Sequence, residues 1–121
     1  MSTYSLARGP RGLLGAYESG GQIRFASLGA SKLTPRAVSD EPREREEALG
    51  RKHPSIACGA DGSVLVAWIE GMSWAQGGTL AWQLFGPDGK PLENERGRRD
   101  GVPAWSLVQA VALSGGFALL Y

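Results

Sequence analysis

Few residues in this chain could take part in catalysis. His53 is the only histidine, and Pro54 follows it. A Ser-His-Asp triad would have to use His53, but no G-x-S-x-G segment is present to supply a nucleophile. Cys58 is the only cysteine and the sequence has no D-x-D-x-D-G loop, so we expect no metal and no other cofactor. The sequence therefore predicts no catalytic residue, and a surface or positioning role for His53.

Paired carboxylates are the one arrangement that would support an enzyme. Glu18 and Glu70 each end an apolar segment of similar sequence, and two carboxylates can hydrolyse a glycosidic bond. Two carboxylates in equivalent surroundings, however, would not have the separated pKa values that an acid and a base require. We therefore treat glycoside hydrolysis as the second hypothesis and leave enzymatic activity open.

The tryptophans favour binding over catalysis. Trp68 and Trp82 lie within apolar segments and are expected to pack between sheets. Trp74 lies in a loop between Gly71 and Gly78, where no neighbouring segment buries it. An exposed aromatic ring beside polar donors suits stacking against a sugar ring or anchoring of a partner protein. The alternatives are that Trp74 packs back onto its own sheet or fills a contact between subunits.

The elements that must hold these residues repeat along the chain. Residues 55–62, followed by VLVAWIE, resemble residues 5–12, followed by LLGAYE. A third copy begins near Leu107 and runs to Tyr121. The period of about 50 residues is the size of one small four-stranded sheet. Short apolar runs between glycine-rich turns predict an all-β fold of antiparallel four-stranded sheets, about two and a half of them in the chain.

The repeats divide the chain into units joined by one charged segment. We place the units at residues 4–38, 53–100 and 101–121, and the connection at residues 39–52. Asp40, Pro42 and Gly50 supply helix start and stop signals, so residues 39–50 are the one helical candidate. We expect this segment to be a solvated connection, and a docking surface is the alternative. The run VLVAWIE is apolar at almost every position, which indicates a strand whose sheet is covered on both faces.

Composition and charge argue against several classes of function. Thirteen Lys and Arg against 12 Asp and Glu give a net charge of +1, so no basic surface for nucleic acid is expected. No stretch approaches the roughly 18 apolar residues of a membrane span, and the first residues lack the apolar core of a signal peptide. A single cysteine allows no intrachain disulfide. We expect a soluble chain and leave its compartment open.

Two segments, HPSIACGADGSVLVAWIEG and GGTLAWQLFGPDGKPL, resemble a blade of the bacterial β-propellers of the sialidase-like kind. The resemblance covers most of residues 4–121, as two blades and part of a third. It implies that the loops between the second and third strands share a rim with the loops that enter each blade. The rim residues that this implies as a ligand-binding set are Arg51, His53, Glu70, Met72, Trp74, Gln76 and Trp105.

The resemblance does not extend to a sialidase active site. Sialidase Asp-boxes place Ser or Thr two residues before the aspartate, where this chain has Gly59 ahead of Asp61. No cluster of three arginines can be matched either. We therefore expect a non-enzymatic binding module that recognises carbohydrate or a protein surface. Because two and a half blades cannot close a ring, we expect several copies to associate into one. The alternatives are a piece of a longer chain, a hydrolase with its site between chains, and a purely structural fragment.

Overall fold

A computed structural model describes residues 3–28, 36–37, 50–72 and 75–121, with residues 36 and 37 described by their backbone alone. The strands in these residues are β1 (Tyr4–Gly9), β2 (Gly12–Ser19), β3 (Gln22–Leu28), β4 (Arg36–Ala37), β5 (Arg51–Cys58), β6 (Val64–Glu70), β7 (Gly78–Phe85), β8 (Pro91–Val102), β9 (Gln109–Leu113) and β10 (Gly116–Leu120). The described part contains no helix, and so none long and apolar enough to cross a bilayer. The expected all-β fold of antiparallel sheets is confirmed. The helical candidate at residues 39–50 lies outside the described residues, except for Gly50.

The strands form three antiparallel sheets in which neighbours along the chain are neighbours in space. Sheet 1 has the order β1-β2-β3-β4, sheet 2 has the order β5-β6-β7-β8, and sheet 3 is the hairpin β9-β10. Gly12, Gly62 and Gly115 stand at or beside the turns that join the first two strands of each sheet, with φ values of 123°, 90° and 85°. Glycine adopts such angles without a steric penalty, so these turns follow from the sequence. β5 begins at Arg51, so residues 51 and 52, which we assigned to the charged connection, belong to a strand.

Strands β5, β6 and β7 of sheet 2 are largely buried because sheets 1 and 3 cover its two faces, whereas β8 at its edge is mostly exposed. Every residue of β6 is buried, as its continuous apolar sequence predicts. One face of sheet 2, with Ile56, Val66 and Trp68, packs against Ala16 and Phe25 of sheet 1. The residues buried between the other face and sheet 3 include Ala57, Leu65, Ala67, Leu80, Val108 and Ala110. The middle sheet therefore contributes to both apolar cores.

One polar contact is repeated between successive sheets. Ser5 Oγ on β1 accepts a 3.2 Å hydrogen bond from Ile56 N on β5. Ser55 Oγ on β5 accepts a 2.8 Å bond from Ala110 N on β9. The three sheets thus stack along their first strands with one recurring geometry.

Candidate functional site

One edge of the stack gathers those residues of the predicted ligand-binding set that the structure describes. We call it the entry rim. It is the edge at which β5 and β9 begin, and it includes the turn 20–21, the described part of 70–77 and the segment 103–108. Gly71 N donates a 3.2 Å hydrogen bond to Gly50 O, and Arg51 N donates a 3.4 Å bond to Gly21 O. These bonds fix the start of β5 between the β2–β3 turn and the end of β6.

A buried ion cluster lies on the entry rim between sheets 1 and 2. The Glu70 side chain is 3% exposed, and its carboxylate contacts Arg51 Nε at 3.2 Å and Arg98 Nη2 at 3.1 Å. Trp68 Nε1 donates to Glu70 Oε1 at 2.8 Å. Arg51 also donates to Gln22 Oε1 of sheet 1 at 2.6 Å, and its guanidinium lies 5.5 Å from the centre of the Trp68 ring. Both Glu70 oxygens are engaged within sheet 2. The hydrogen bond from Arg51 to Gln22 joins sheets 1 and 2 at this edge.

The cluster explains why Arg51 and Glu70, both predicted to bind a ligand, lie inside the protein. A buried charge is tolerated when it is paired and hydrogen-bonded. The Arg51 guanidinium and the Glu70 carboxylate form such a pair with each other. Their pairing across the ends of β5 and β6 is set by the strand register. Gln22 and Arg98 complete the cluster, but no spacing in the sequence marks them as partners of this pair.

Glu18 faces the same interface from sheet 1. It lies on the face of β2 that carries Leu14 and Ala16, which packs against sheet 2. Its Oε2 atom is buried and has no hydrogen-bond partner. When the strand registers of sheets 1 and 2 are matched at Ser5 and Ser55, the position in sheet 2 that is equivalent to Glu18 is Ile69 and not Glu70. The two carboxylates therefore have different surroundings, whereas the sequence suggested matching ones.

His53 lies at a β-bulge and has a left-handed backbone. The pairing of β5 with β6 is irregular between Lys52 and Ser55, and the φ of His53 is 54°. Such an angle is strained in a non-glycine residue that precedes a proline. His53 Nδ1 lies 3.4 Å from Thr3 Oγ1. Burial, reinforced by the charge of Lys52 and opposed by that of Glu18, lowers the pKa of His53 below 6.5, so its imidazole is neutral at pH 7.

A cleft of about 270 Å³ opens beside His53. It is lined by Thr3, Tyr4, Ser5, His53, Pro54, Ser55, Leu107, Val108 and Gln109. Tyr4 and Leu107, which are 77% and 64% exposed, form apolar walls. Thr3, His53 and Gln109 contribute polar atoms. Because the lining comes from the start of the first strand in all three sheets, stacking of the sheets creates the cleft.

Trp105 stands at the surface of the entry rim and is 69% exposed. It is the third residue of a turn closed by a 3.1 Å bond from Ser106 N to Pro103 O, and its φ is 68°. A positive φ at that turn position is usually taken by glycine. Strain of this kind concentrates at functional sites. Leu107, two residues further on, lines the cleft, so Trp105 lies next to it along the chain.

The other predicted residues differ in how accessible they are. Met72 is buried in the core between sheets 2 and 3. Gln76 is exposed between β6 and β7. Trp74, on which the sequence interpretation depends most, lies outside the described residues. The entry rim therefore presents Trp105, Gln76 and the cleft at its surface, and holds Arg51, Glu70 and Met72 beneath it.

A second cavity, of about 360 Å³, lies on the opposite rim between sheets 1 and 2. Leu14, Phe25 and Val64 line it together with the half-buried Cys58. Burial, followed by the charge of Asp61, raises the pKa of the Cys58 thiol, so the reactive thiolate is disfavoured. Within the described ranges, no group of three His, Cys, Asp or Glu residues could hold a metal ion.

Comparison with known proteins gives no assignment. No protein-family model, no curated protein and no solved structure matches the chain. The function has to be inferred from the geometry of the entry rim.

Proposed function

We propose that the chain is a self-associating, non-enzymatic binding module made of β-propeller-type blades, with the entry rim as its binding surface. The strand order of sheets 1 and 2 and their face-to-face stacking support blades of this kind. The binding role depends on Trp105. An indole that is 69% exposed on a strained turn belongs to neither apolar core and is suited to contact with a ligand.

The cleft lined by Leu107, two residues along the chain from Trp105, favours carbohydrate as the ligand. Tyr4 and Leu107 provide an aromatic and an apolar surface for the C–H face of a sugar ring. The neutral imidazole of His53, whose Nδ1 lies 3.4 Å from Thr3 Oγ1, can offer Nε2 to a sugar hydroxyl as a donor or an acceptor. The cleft volume of about 270 Å³ is close to the lower end of the range for ligand pockets, which favours a single sugar residue.

Glycoside hydrolysis is a second candidate, which one observation favours. Glu18 and Glu70 face one interface in different surroundings, as acid and base roles require, and Glu18 has an oxygen without a partner. Against this role, both oxygens of Glu70 are engaged, and neither carboxylate lines the cleft. Turnover of a fluorogenic glycoside that is lost in Glu18→Gln would establish this candidate.

A glycan array with matched variants tests the binding role. We expect the wild-type chain to capture at least one glycan and Trp105→Ala to weaken that capture about tenfold, which is the size of a lost aromatic contact of roughly 1.5 kcal/mol. Leu92→Ala is the control, because Leu92 is a 41% exposed apolar residue on the opposite rim. Circular dichroism would confirm that both variants fold. An array without signal, or equal capture by Trp105→Ala, would refute carbohydrate binding at this rim.

A further inference from the structure

We infer that the open face of sheet 3 binds the open face of sheet 1 in a second copy of this chain. The contact would run head to tail, with the geometry that already joins the sheets within one chain. This inference deepens the self-association in the proposed function and rests on it, whereas ligand capture at the entry rim is a separate property.

Hydrogen bonds between first strands join each sheet to the next one along the chain. Ser5 and Ser55 each accept a hydrogen bond from the first strand of the following sheet, at Ile56 N and Ala110 N. Ile56 directly follows the serine of its own sheet. In sheet 3, Ala110 carries the N–H that binds Ser55, and the residue directly before it is Gln109. Gln109 therefore holds the acceptor position of sheet 3.

Gln109 has an acceptor for a following sheet. It is exposed, and its Nε2 donates a 3.1 Å bond to Ala110 O, which leaves Oε1 as the acceptor. In sheet 1 the residue directly after the serine is Leu6, and no sheet within the described ranges precedes it to bind its N–H. A bond from Leu6 N of one copy to Gln109 Oε1 of another would continue the series.

The apolar faces at the two ends match this polar pairing. Leu113 and Leu120, on the face of sheet 3 that is turned away from sheet 2, are 56% and 60% exposed. Leu6 and Leu13, on the far face of sheet 1, are 54% and 40% exposed. Apolar rows at both ends of a stack mark an interaction surface, whereas single exposed leucines do not.

A second copy of the chain covers each open face, because every copy carries both the acceptor on sheet 3 and the N–H group on sheet 1. The two faces are unlike, since sheet 3 brings the acceptor and sheet 1 brings the N–H. Joining unlike faces makes a heterologous contact, which closes into a ring or continues as a filament. A two-fold dimer would pair a face with itself and leave both groups unused.

Sedimentation velocity of four proteins tests the contact. The wild type should sediment as a species larger than the 12.8 kDa chain. Leu6→Arg and Leu120→Arg each place a charge on one open face, and because both side chains are exposed in the single chain, these variants should still fold. Each of them should sediment as a single chain. Leu92→Arg, on the opposite rim, should assemble like the wild type.

Mixing the two interface variants distinguishes a head-to-tail contact from a two-fold one. Leu6→Arg retains an intact sheet 3 face, and Leu120→Arg retains an intact sheet 1 face, so their equimolar mixture should form a dimer with one copy of each. Gln109→Ala should weaken wild-type assembly about fivefold to tenfold, the size of one hydrogen bond.

Three results would overturn the inference. One is a wild type that stays a single chain at about 100 µM. The second is a Leu120→Arg variant that dimerises with itself, and the third is a mixture that stays monomeric. A wild type that stays a single chain would also remove self-association from the proposed function, whereas the other two results would overturn the head-to-tail contact alone. Glycan capture reports on the binding role of the entry rim separately from all three results.

Discussion

Replacing Glu70 by glutamine should remove a large share of the stability. The carboxylate is 3% exposed and neutralises Arg51, whose side chain is 6% exposed. Glutamine keeps the shape and one acceptor but leaves the guanidinium charge buried without a counter-charge. Breaking a buried pair in this way costs about 3–5 kcal/mol, against a typical total stability of roughly 5–15 kcal/mol.

Urea unfolding followed by circular dichroism measures this cost. With a slope near 2 kcal/mol per M, the midpoint should fall by about 2 M. Arg98→Ala is the matched comparison, because Arg98 contacts the same carboxylate with a side chain that is 48% exposed. It should cost at most about 1 kcal/mol, since water screens an exposed pair. All proteins are compared at one chain concentration, because association adds to the apparent stability.

The double variant Arg51→Met/Glu70→Leu completes the test. It removes both buried charges together and should recover part of the loss seen in Glu70→Gln, because Trp68 Nε1 still loses Glu70 Oε1 as its acceptor. The reasoning would be refuted if Glu70→Gln cost less than about 1 kcal/mol, or if Arg98→Ala cost as much as Glu70→Gln.

Three further predictions follow from single contacts. Because its folded pKa is depressed, His53 contributes stability that is complete above pH 6.5 and lost as the pH falls through the folded pKa; thermal melts from about pH 8 to pH 5 should show this slope, reduced in His53→Asn. Ser55→Ala leaves the buried Ala110 N–H without its acceptor and should cost about 1–3 kcal/mol in urea unfolding; a smaller cost would contradict the repeated contact. Trp105→Gly should melt no lower than Trp105→Ala, because glycine accepts a φ of 68°; a lower melting temperature would show that the turn is not strained.

The sheets could be predicted because their signals are local. Gly12 and Gly62 recur beside the same turn of each repeat, and positive φ at these positions has few other solutions. The buried state of β6 follows from its run of apolar residues, Val64 to Ile69, before its end at Glu70. The all-β fold of antiparallel sheets was therefore accessible from turn chemistry and apolar patterning.

The site was harder to predict because burial of its charges depends on distant residues. Gln22 lies 29 residues from Arg51, and Arg98 lies 28 residues from Glu70, and neither separation is a repeat period. Met72 follows a strand and reads as a loop residue, yet the packing of sheet 3 against sheet 2 buries it. Sequence patterns report the state of one strand, whereas these positions are decided by how the sheets meet.

Native mass spectrometry of the 121-residue chain over a range of concentrations tests the central claim most directly. The claim is that sheets of this chain need cover on both faces and that the end sheets obtain it from further copies. The predicted result is a set of whole-number multiples of 12.8 kDa whose population grows with concentration. A folded species of 12.8 kDa alone at every concentration would contradict it.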